Sequence, residues 1–469
     1  MISRRKTALI LLLEGFVSSA LQMITIRQTM PFVGSSVLCT SIVISCFLGA
    51  LALGYYIGGK QSPHQFKQVL LRNLIISLGF FGIGLSYLFV EIFFTIVGAI
   101  TKGNVIFSSP LIHLLSFCLL IMSPLVFCLG QTVPLLLNTW NENVRKSEAA
   151  GNATAISTLG NVVGCLVCSL VLMYFLGIGY SIIINCTLLL ICIFTIAGKD
   201  ILCSPVQPLI TLILFSTLTI FNAINERERF ITTTAYSNIS ITQSTAGKEL
   251  IINRSRSSYV DQKERKGWPY IELIKTALFE NLNPGGRVLV LGAGGFTLSA
   301  ENTHGLSFTY VDIESKLQEI SEAYFLQRKI NGEFVAQDAR SYLIQNEKQW
   351  DAIVIDLYSN SATIPAHTST AQFFNLVNSR LKKNGLVIMN IVANPMLSDD
   401  FSRNIDFTIR GSLSRCVNDL TSFSDDLVNM IYYCHPFTSS SRTAVATTYN
   451  DDSTKVTIDS YIMTLRNKR

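Results

Sequence analysis

Seven apolar runs fill the first half of this chain, at about residues 8–26, 35–58, 73–99, 108–136, 153–177, 180–198 and 207–224. A helical membrane span needs roughly 20 mostly apolar residues, so each run is long enough to cross a bilayer. Charge follows the same division. Residues 1–225 hold 11 Lys+Arg and 5 Asp+Glu, and the remainder holds 26 of each (37 − 11 and 31 − 5). The net charge of +6 (11 − 5) therefore belongs to the first half. Only 14% of the 469 residues are charged, against about 25% in soluble chains. This excludes a disordered chain and an ordinary soluble enzyme. The neutral second half gives no electrostatic case for nucleic acid.

Arg4, Arg5 and Lys6 precede the first run as in a signal peptide. Further spans follow and no cleavage site is evident, so the run reads as a retained helix. Gly54/Gly58 and Gly160/Gly164 are spaced for close backbone packing in lipid. Glu14 and Glu91 lie inside runs and are expected to face the bundle interior. His113 reads as a hydrogen-bonding residue. Cys165 and Cys168 form a C-x-x-C without a second pair, and zinc sites usually need four ligands, so no metal site is expected. Cys416 and Cys434 alone make no disulfide framework.

From about residue 231 the pattern changes. "NISITQS" and "KELIINRS" suggest a small antiparallel sheet. Five strand candidates then alternate with helical or polar segments: Arg287–Leu291, Ser307–Ile313, Gly332–Gln337, Trp350–Ile355 and Gly385–Ile391. Alternation of this kind implies a doubly wound parallel sheet, with ligands beyond the carboxyl ends of the strands. The expected organisation is a multi-pass bundle of about seven spans (1–225), a small β-rich subdomain (226–283) and a Rossmann-like, methyltransferase-type α/β domain (284–469).

Successive strand ends carry a constellation. Gly292-Ala293-Gly294-Gly295 follows the first strand, Asp312 the second, Asp338 the third and Asp356 the fourth. Glycines let the backbone approach a ligand, and an acid about 20 residues on binds ribose hydroxyls in nucleotide folds. A helix N-cap is the plain alternative for Asp312, and a strand-ending turn for Asp356. No phosphate-binding G-x-x-x-x-G-K-[ST] occurs. A nucleoside without phosphate, such as S-adenosylmethionine or its decarboxylated form, fits this pattern better.

At these residues the chain resembles the spermidine synthase (polyamine aminopropyltransferase) family, especially its membrane-fused members. The matching segments are "VLVLGAGGFTL", "AQDARSYL", "DAIVIDLYS", "IPAHTSTAQFF" and "LKKNGLVIMNI", with "YIEL" upstream. In the first half, "FLGALALG", "GQTVPLL" and "STLGNVVGCL" are similar to that subgroup's helices. The resemblance implies transfer of an aminopropyl group from decarboxylated S-adenosylmethionine to an amine, putrescine or another polyamine, releasing methylthioadenosine. It implies Asp356 as the base. It also implies a cofactor-binding set of Gly292, Gly294, Asp312, Asp338, Ala339 and Pro365, and an amine site of Tyr270, Glu272 and Tyr358. An aromatic face such as Tyr270 suits a cation.

Departures fall on the amine side. The Gly loop reads Gly295-Phe296 where the family has an Asp. Ser359 replaces a second acid, Ile271 replaces a His, and Tyr236-Ser237 replaces a Tyr-Gln pair. Two other readings stay open: an S-adenosylmethionine-dependent methyltransferase, and a non-catalytic nucleoside-binding transporter or sensor. His367 is a candidate second acid/base. Self-association into a homo-oligomer is also left open.

The cation distribution puts the N-terminus inside. Seven spans would then leave the second half outside, whereas a sulfonium made in the cytoplasm argues for a cytoplasmic second half. The expectation is therefore cytoplasmic, with one further crossing within 69–100 or a re-entrant segment at 105–138.

Overall fold

The computed structural model describes residues 3–34, 36–102, 104, 107–137, 145–198, 206–263, 266–358, 364–422, 426–435 and 448–466. Lys199 and Ser359 lie outside the described residues. The chain divides into two compact units, Met1–Ala235 and Tyr236–Arg469.

Among the described residues of the first unit, seven helices are long and apolar enough to cross a membrane. They are α1 (Arg4–Val33), α2 (Val37–Gly59), α3 (Phe66–Gly84), α5 (Pro110–Leu137), α6 (Lys146–Leu176), α7 (Ile178–Ala197) and α8 (Pro208–Arg229). The third apolar run divides. After α3 the Ser86 side chain caps a separate 14-residue helix, α4 (Tyr87–Ile100), by accepting from the Phe89 N–H.

Small residues let α1 and α6 touch backbone to backbone. A Cβ on Gly160 would sit 2.2 Å from the Leu12 carbonyl oxygen, and one on Gly164 2.2 Å from that of Phe16. Ser19 Oγ donates to Asn161 Oδ1 across the same seam, 2.9 Å. Gly54 brings α2 onto α5 in the same way. Of the two acids, Glu14 is buried beside Ser157. Glu91 differs from expectation. It sits on the short α4 and pairs with Arg229 at the end of α8, with a third of its side chain exposed. His113 lies within hydrogen-bond distance of Thr101 Oγ1 (2.9 Å) and the Phe107 carbonyl (3.0 Å).

Long-range bonds fix which helix ends lie together. Gln28 Nε2 donates to the Leu85 carbonyl, Asn222 Nδ2 to that of Gly82, and the Gly179 N–H to Glu226. These mark one end of the bundle. Lys67 Nζ donates to the Ala197 carbonyl and marks the other. Arg4 stands 24 residues before Gln28 on α1, about 36 Å along the helix. The chain therefore leaves this unit at the end away from Arg4.

In the second unit three strands pair antiparallel: β1 (Asn238–Gln243), β2 (Gly247–Ile252) and β3 (Ser255–Asp261). Helix α9 (Pro269–Asn281) follows. The larger sheet contains β4 (Arg287–Leu291), β5 (Ser307–Asp312), β6 (Glu333–Ala336), β7 (Trp350–Ile355), β8 (Leu381–Ala393), β9 (Ser414–Leu420) and β10 (Val428–His435). Their order is β9-β10-β8-β7-β4-β5-β6. The five expected strands form its parallel part, and the order reverses between β5 and β7 on either side of β4. Strands β9 and β10 add an antiparallel edge, and Cys416 and Cys434 form a disulfide across it.

Alternation explains the two covered faces. Leu289, Leu291, Ile353 and Ile355 pack in one core; Val288, Val290, Ala352 and Val354 pack in the other, against Ile274 and Leu278 of α9. Successive strand side chains point to opposite faces, so strands covered on both sides read as unbroken apolar runs.

The α1–α6 seam gives a direct test. Gly160→Val should destabilise the bundle by about 1–3 kcal/mol through overpacking, read as a lower melting temperature of the detergent-solubilised protein. Gly151, where a Cβ meets nothing within 4 Å, should accept Ala without such a loss.

Candidate active site

The three central strands β5, β4 and β7 end together, and backbone bonds carry their ladder past the strand ends. The Gly292 N–H donates to the Val311 carbonyl and the Asp356 N–H to that of Leu291, each at 2.9 Å. Gly292 (φ +93°) and Gly294 (φ +48°) then turn the chain. A Cβ on Gly292 would stand 2.1 Å from the Asp356 carbonyl oxygen, so only glycine fits. The Gly295 N–H donates to Ser258 Oγ of β3 at 2.8 Å, which ties the small sheet to the loop.

Asp312 holds this loop from the β5 side. Its Oδ2 accepts from the Ala293 N–H and its Oδ1 from the Glu314 N–H, both at 3.0 Å. Burial pushes its carboxyl above the ordinary range, backbone donors oppose this, and the neighbouring Glu314 adds to the rise. Glu314 is 2% exposed. Sequence reading passed over it; it lies two residues beyond the end of β5, in the turn that the Asp312 side chain caps.

Asp338 is the N-cap of α10 (Ala339–Gln345). Its Oδ1 accepts from the Ser341 N–H at 2.8 Å, and its Oδ2 lies 3.0 Å from His367 Nε2. Burial pushes this carboxyl up, but the Ser341 N–H and His367 outweigh it, and the net position is below the ordinary range. Ala339 is buried at the first turn of α10. The Pro365 carbonyl accepts from the Thr368 N–H and so shapes the turn that presents His367.

Asp356 is the most constrained of the acids. Tyr270 donates its hydroxyl to Oδ2 at 3.0 Å, and Asn390 Nδ2 donates to Oδ1 at 2.9 Å. Asn429 in turn donates to Asn390 Oδ1 at 2.8 Å. Burial pushes the Asp356 carboxyl up, and the Asn390 and Tyr270 donors pull against it. Tyr270 itself is held well above its usual range by burial and by the Asp356 charge, so it remains a donor. Tyr358 donates to the Asn390 carbonyl (3.0 Å) and accepts from the Val392 N–H (2.7 Å), bracing β7 to β8. Glu272 is placed differently: it accepts from the Gly267 N–H (2.8 Å) and Lys275 Nζ (3.0 Å), bracing the start of α9.

The structure thus brings Gly292, Gly294, Asp312, Asp356, Tyr270 and Tyr358 to one end of the sheet around β4. It adds Asn390, Glu314 and Ser258, which sequence reading missed. Asn390 had only one signal, its position inside the apolar run of β8, where a buried amide needs a partner.

No family model matches the chain. A protein of Bifidobacterium longum named "Probable polyamine aminopropyl transferase" is 26% identical over 150 residues, 31% of this chain. The match spans 30% of that relative's length. A probable spermidine synthase from Corynebacterium glutamicum aligns at TM-score 0.38 and 18% identity, covering 45% of this chain and 81% of that one. The spermidine synthase of Thermotoga maritima aligns at TM-score 0.32 and 15% identity, covering 44% and 74%. Over its 150 matched residues, this chain resembles the polyamine aminopropyl transferases.

Proposed function

We propose that the second unit is an aminopropyltransferase that uses decarboxylated S-adenosylmethionine, and that the first unit holds it at a membrane. The observation that carries this reading is the Asp356 carboxylate, gripped by Tyr270 and Asn390 beside a glycine loop at the switch point of the sheet. Asp312 at the neighbouring strand end would take the ribose hydroxyls, and Asp338 the adenine amine. In the reaction the amine nitrogen forms a bond to the methylene next to the sulfonium. The carbon–sulfur bond breaks, its electron pair stays on sulfur, and methylthioadenosine leaves. The nitrogen must shed a proton to attack, and Asp356 receives it. Each carboxylate oxygen keeps a free lone pair after accepting one bond, so Tyr270 and Asn390 do not block this role.

The test is mass spectrometry of product formed by the purified protein with each form of the sulfonium nucleoside and a panel of amines. Asp356→Asn should lower kcat by about a hundred- to ten-thousand-fold while the protein stays folded; near-wild-type turnover would remove Asp356 from the mechanism. The pH profile gives an independent check. The ionised carboxylate acts, so the rate falls as pH drops through its pKa, and burial already moves that fall above the ordinary carboxylate range. Tyr270→Phe removes a donor to the ionised form, so the acid limb should move to higher pH by about one unit.

The orientation we propose reverses the one expected from the cofactor: the second unit faces away from the cytoplasm. Helix α4 is about 21 Å long, short of the roughly 30 Å of hydrocarbon. An additional crossing by α4 would also put Lys67 and Ala197 at opposite ends, whereas they are hydrogen-bonded. Seven crossings leave the second unit on the side away from Arg4. Eight described cations lie toward the Arg4 end, namely Arg4, Arg5, Lys6, Lys60, Lys67, Arg72, Arg145 and Lys146. Four lie toward the other end: Arg27, Lys102, Arg227 and Arg229. That bias supports a cytoplasmic N-terminus. The Cys416–Cys434 disulfide suits an oxidising compartment. Fusion after Arg469 to a reporter active only outside should give signal, and fusion to one active only in the cytoplasm should give none. The reverse pattern would overturn this orientation.

A further inference from the structure

The interior of the first unit is polar at mid-depth. Glu14 and Ser18 of α1, Ser77 of α3 and Asn185 of α7 are each no more than 2% exposed. Helix α7 packs against both α1 and α3. The end-marking bonds place these residues in depth. Ser18 is ten residues below Gln28 and Ser77 eight below Leu85, about 15 and 12 Å from that bonded pair. From the other end, Ser77 is ten residues from Lys67 and Asn185 twelve from Ala197, about 15 and 18 Å in. Three helices thus bring their polar residues to one level, near the middle of a hydrocarbon core, and Glu14 lies one helical turn away toward the Arg4 end.

These groups are under-satisfied. Ser18 Oγ, Ser77 Oγ and Asn185 Oδ1 are buried without a hydrogen-bond partner. The Asn185 Nδ2 donates within its own helix, to the Ser181 carbonyl at 2.8 Å, which leaves Oδ1 as a free acceptor. Ser157 Oγ lies 3.3 Å from the Glu14 carboxylate, and among the described residues Glu14 has no ion-pair partner. Arg27, further along α1, is about 20 Å away and donates to the Thr234 carbonyl at 2.9 Å. A polar atom buried without a partner is costly, and intramembrane carboxylates mark ion or substrate paths.

We infer that Glu14, Ser18, Ser77 and Asn185 form a binding site within the bundle for an organic ammonium, on a route across the membrane. A primary ammonium supplies what the site lacks: one positive charge for Glu14 and several N–H donors for the unpartnered oxygens. A short α,ω-diamine would reach from Glu14 to the Ser18–Ser77 level, one helical turn of about 5.4 Å. The existence of the site stands on the first unit alone. The choice of an amine over an inorganic cation rests on the aminopropyl-transfer reading of the second.

The experiment is uptake of labelled putrescine by proteoliposomes of the full-length protein, with labelled sodium ion in a parallel arm. No sulfonium nucleoside is present, so an absent transferase activity leaves the result intact. Wild-type vesicles should take up putrescine above protein-free vesicles. Glu14→Gln should lower uptake at least tenfold, and Ser18→Ala severalfold. If Glu14→Gln fails to give a monodisperse protein, Ser18→Ala decides. Uptake no greater than in protein-free vesicles, uptake unchanged in the soluble variants, or uptake of sodium in place of putrescine would each overturn the inference.

Discussion

The second unit depends on the close approach of two backbones, at Gly292 and Asp356. The carbonyl of Asp356 occupies the place a Cβ on residue 292 would need, and the φ of +93° is one that glycine alone adopts without strain. This contact keeps β4 and β7 in register past their ends. It aims the Asp356 side chain toward Tyr270 and Asn390, and it turns the loop so that the Ala293 N–H meets Asp312. Asp356 and Asp312 are therefore placed by backbone geometry first and by side-chain bonds second. Rigid placement of this kind suits the proton-accepting role proposed for Asp356.

Much of the site was legible because strand ends are legible. Apolar runs bounded by Gly or Asp mark where a parallel strand stops, and the doubly wound rule says ligands bind there. Asp312 and Asp356 followed from that rule. What was not legible came from partners distant in sequence. Asn390 lies 34 residues beyond Asp356 inside an apolar strand, Ser258 lies 37 before Gly295, and no local pattern announces either. Glu272 shows the converse. Its place in a family signature pointed to the amine, whereas the fold gives it to Gly267 and Lys275. The antiparallel pair β9–β10 escaped because β9, Ser-Arg-Cys-Val-Asn-Asp-Leu, mixes polar and apolar residues on both faces and so shows no apolar alternation.

In the first unit, span existence was legible and span continuity was not. Residues 73–99 read as one apolar run, yet the chain breaks at Leu85–Ser86, where a serine hydroxyl replaces the missing helical partner of Phe89. Composition cannot show this, since one capping serine scarcely alters mean hydropathy. The break bears on topology, because it gives α4 too few residues to span. The depth of Lys67 against Ala197 makes the same point independently, through a bond between helices rather than through length.

Orientation and chemistry then constrain each other. Both co-substrates proposed for the second unit are cations, and a sulfonium, unlike an amine, cannot shed its charge to cross lipid. If the second unit faces outward, some route must bring a sulfonium nucleoside to it, and a reaction that decarboxylates and exports such a compound must lie upstream. An amine needs less. On the route inferred above it would leave the cytoplasm through the bundle, whose interior holds a buried carboxylate and unpartnered oxygens, and the product of the proposed transfer is again an amine.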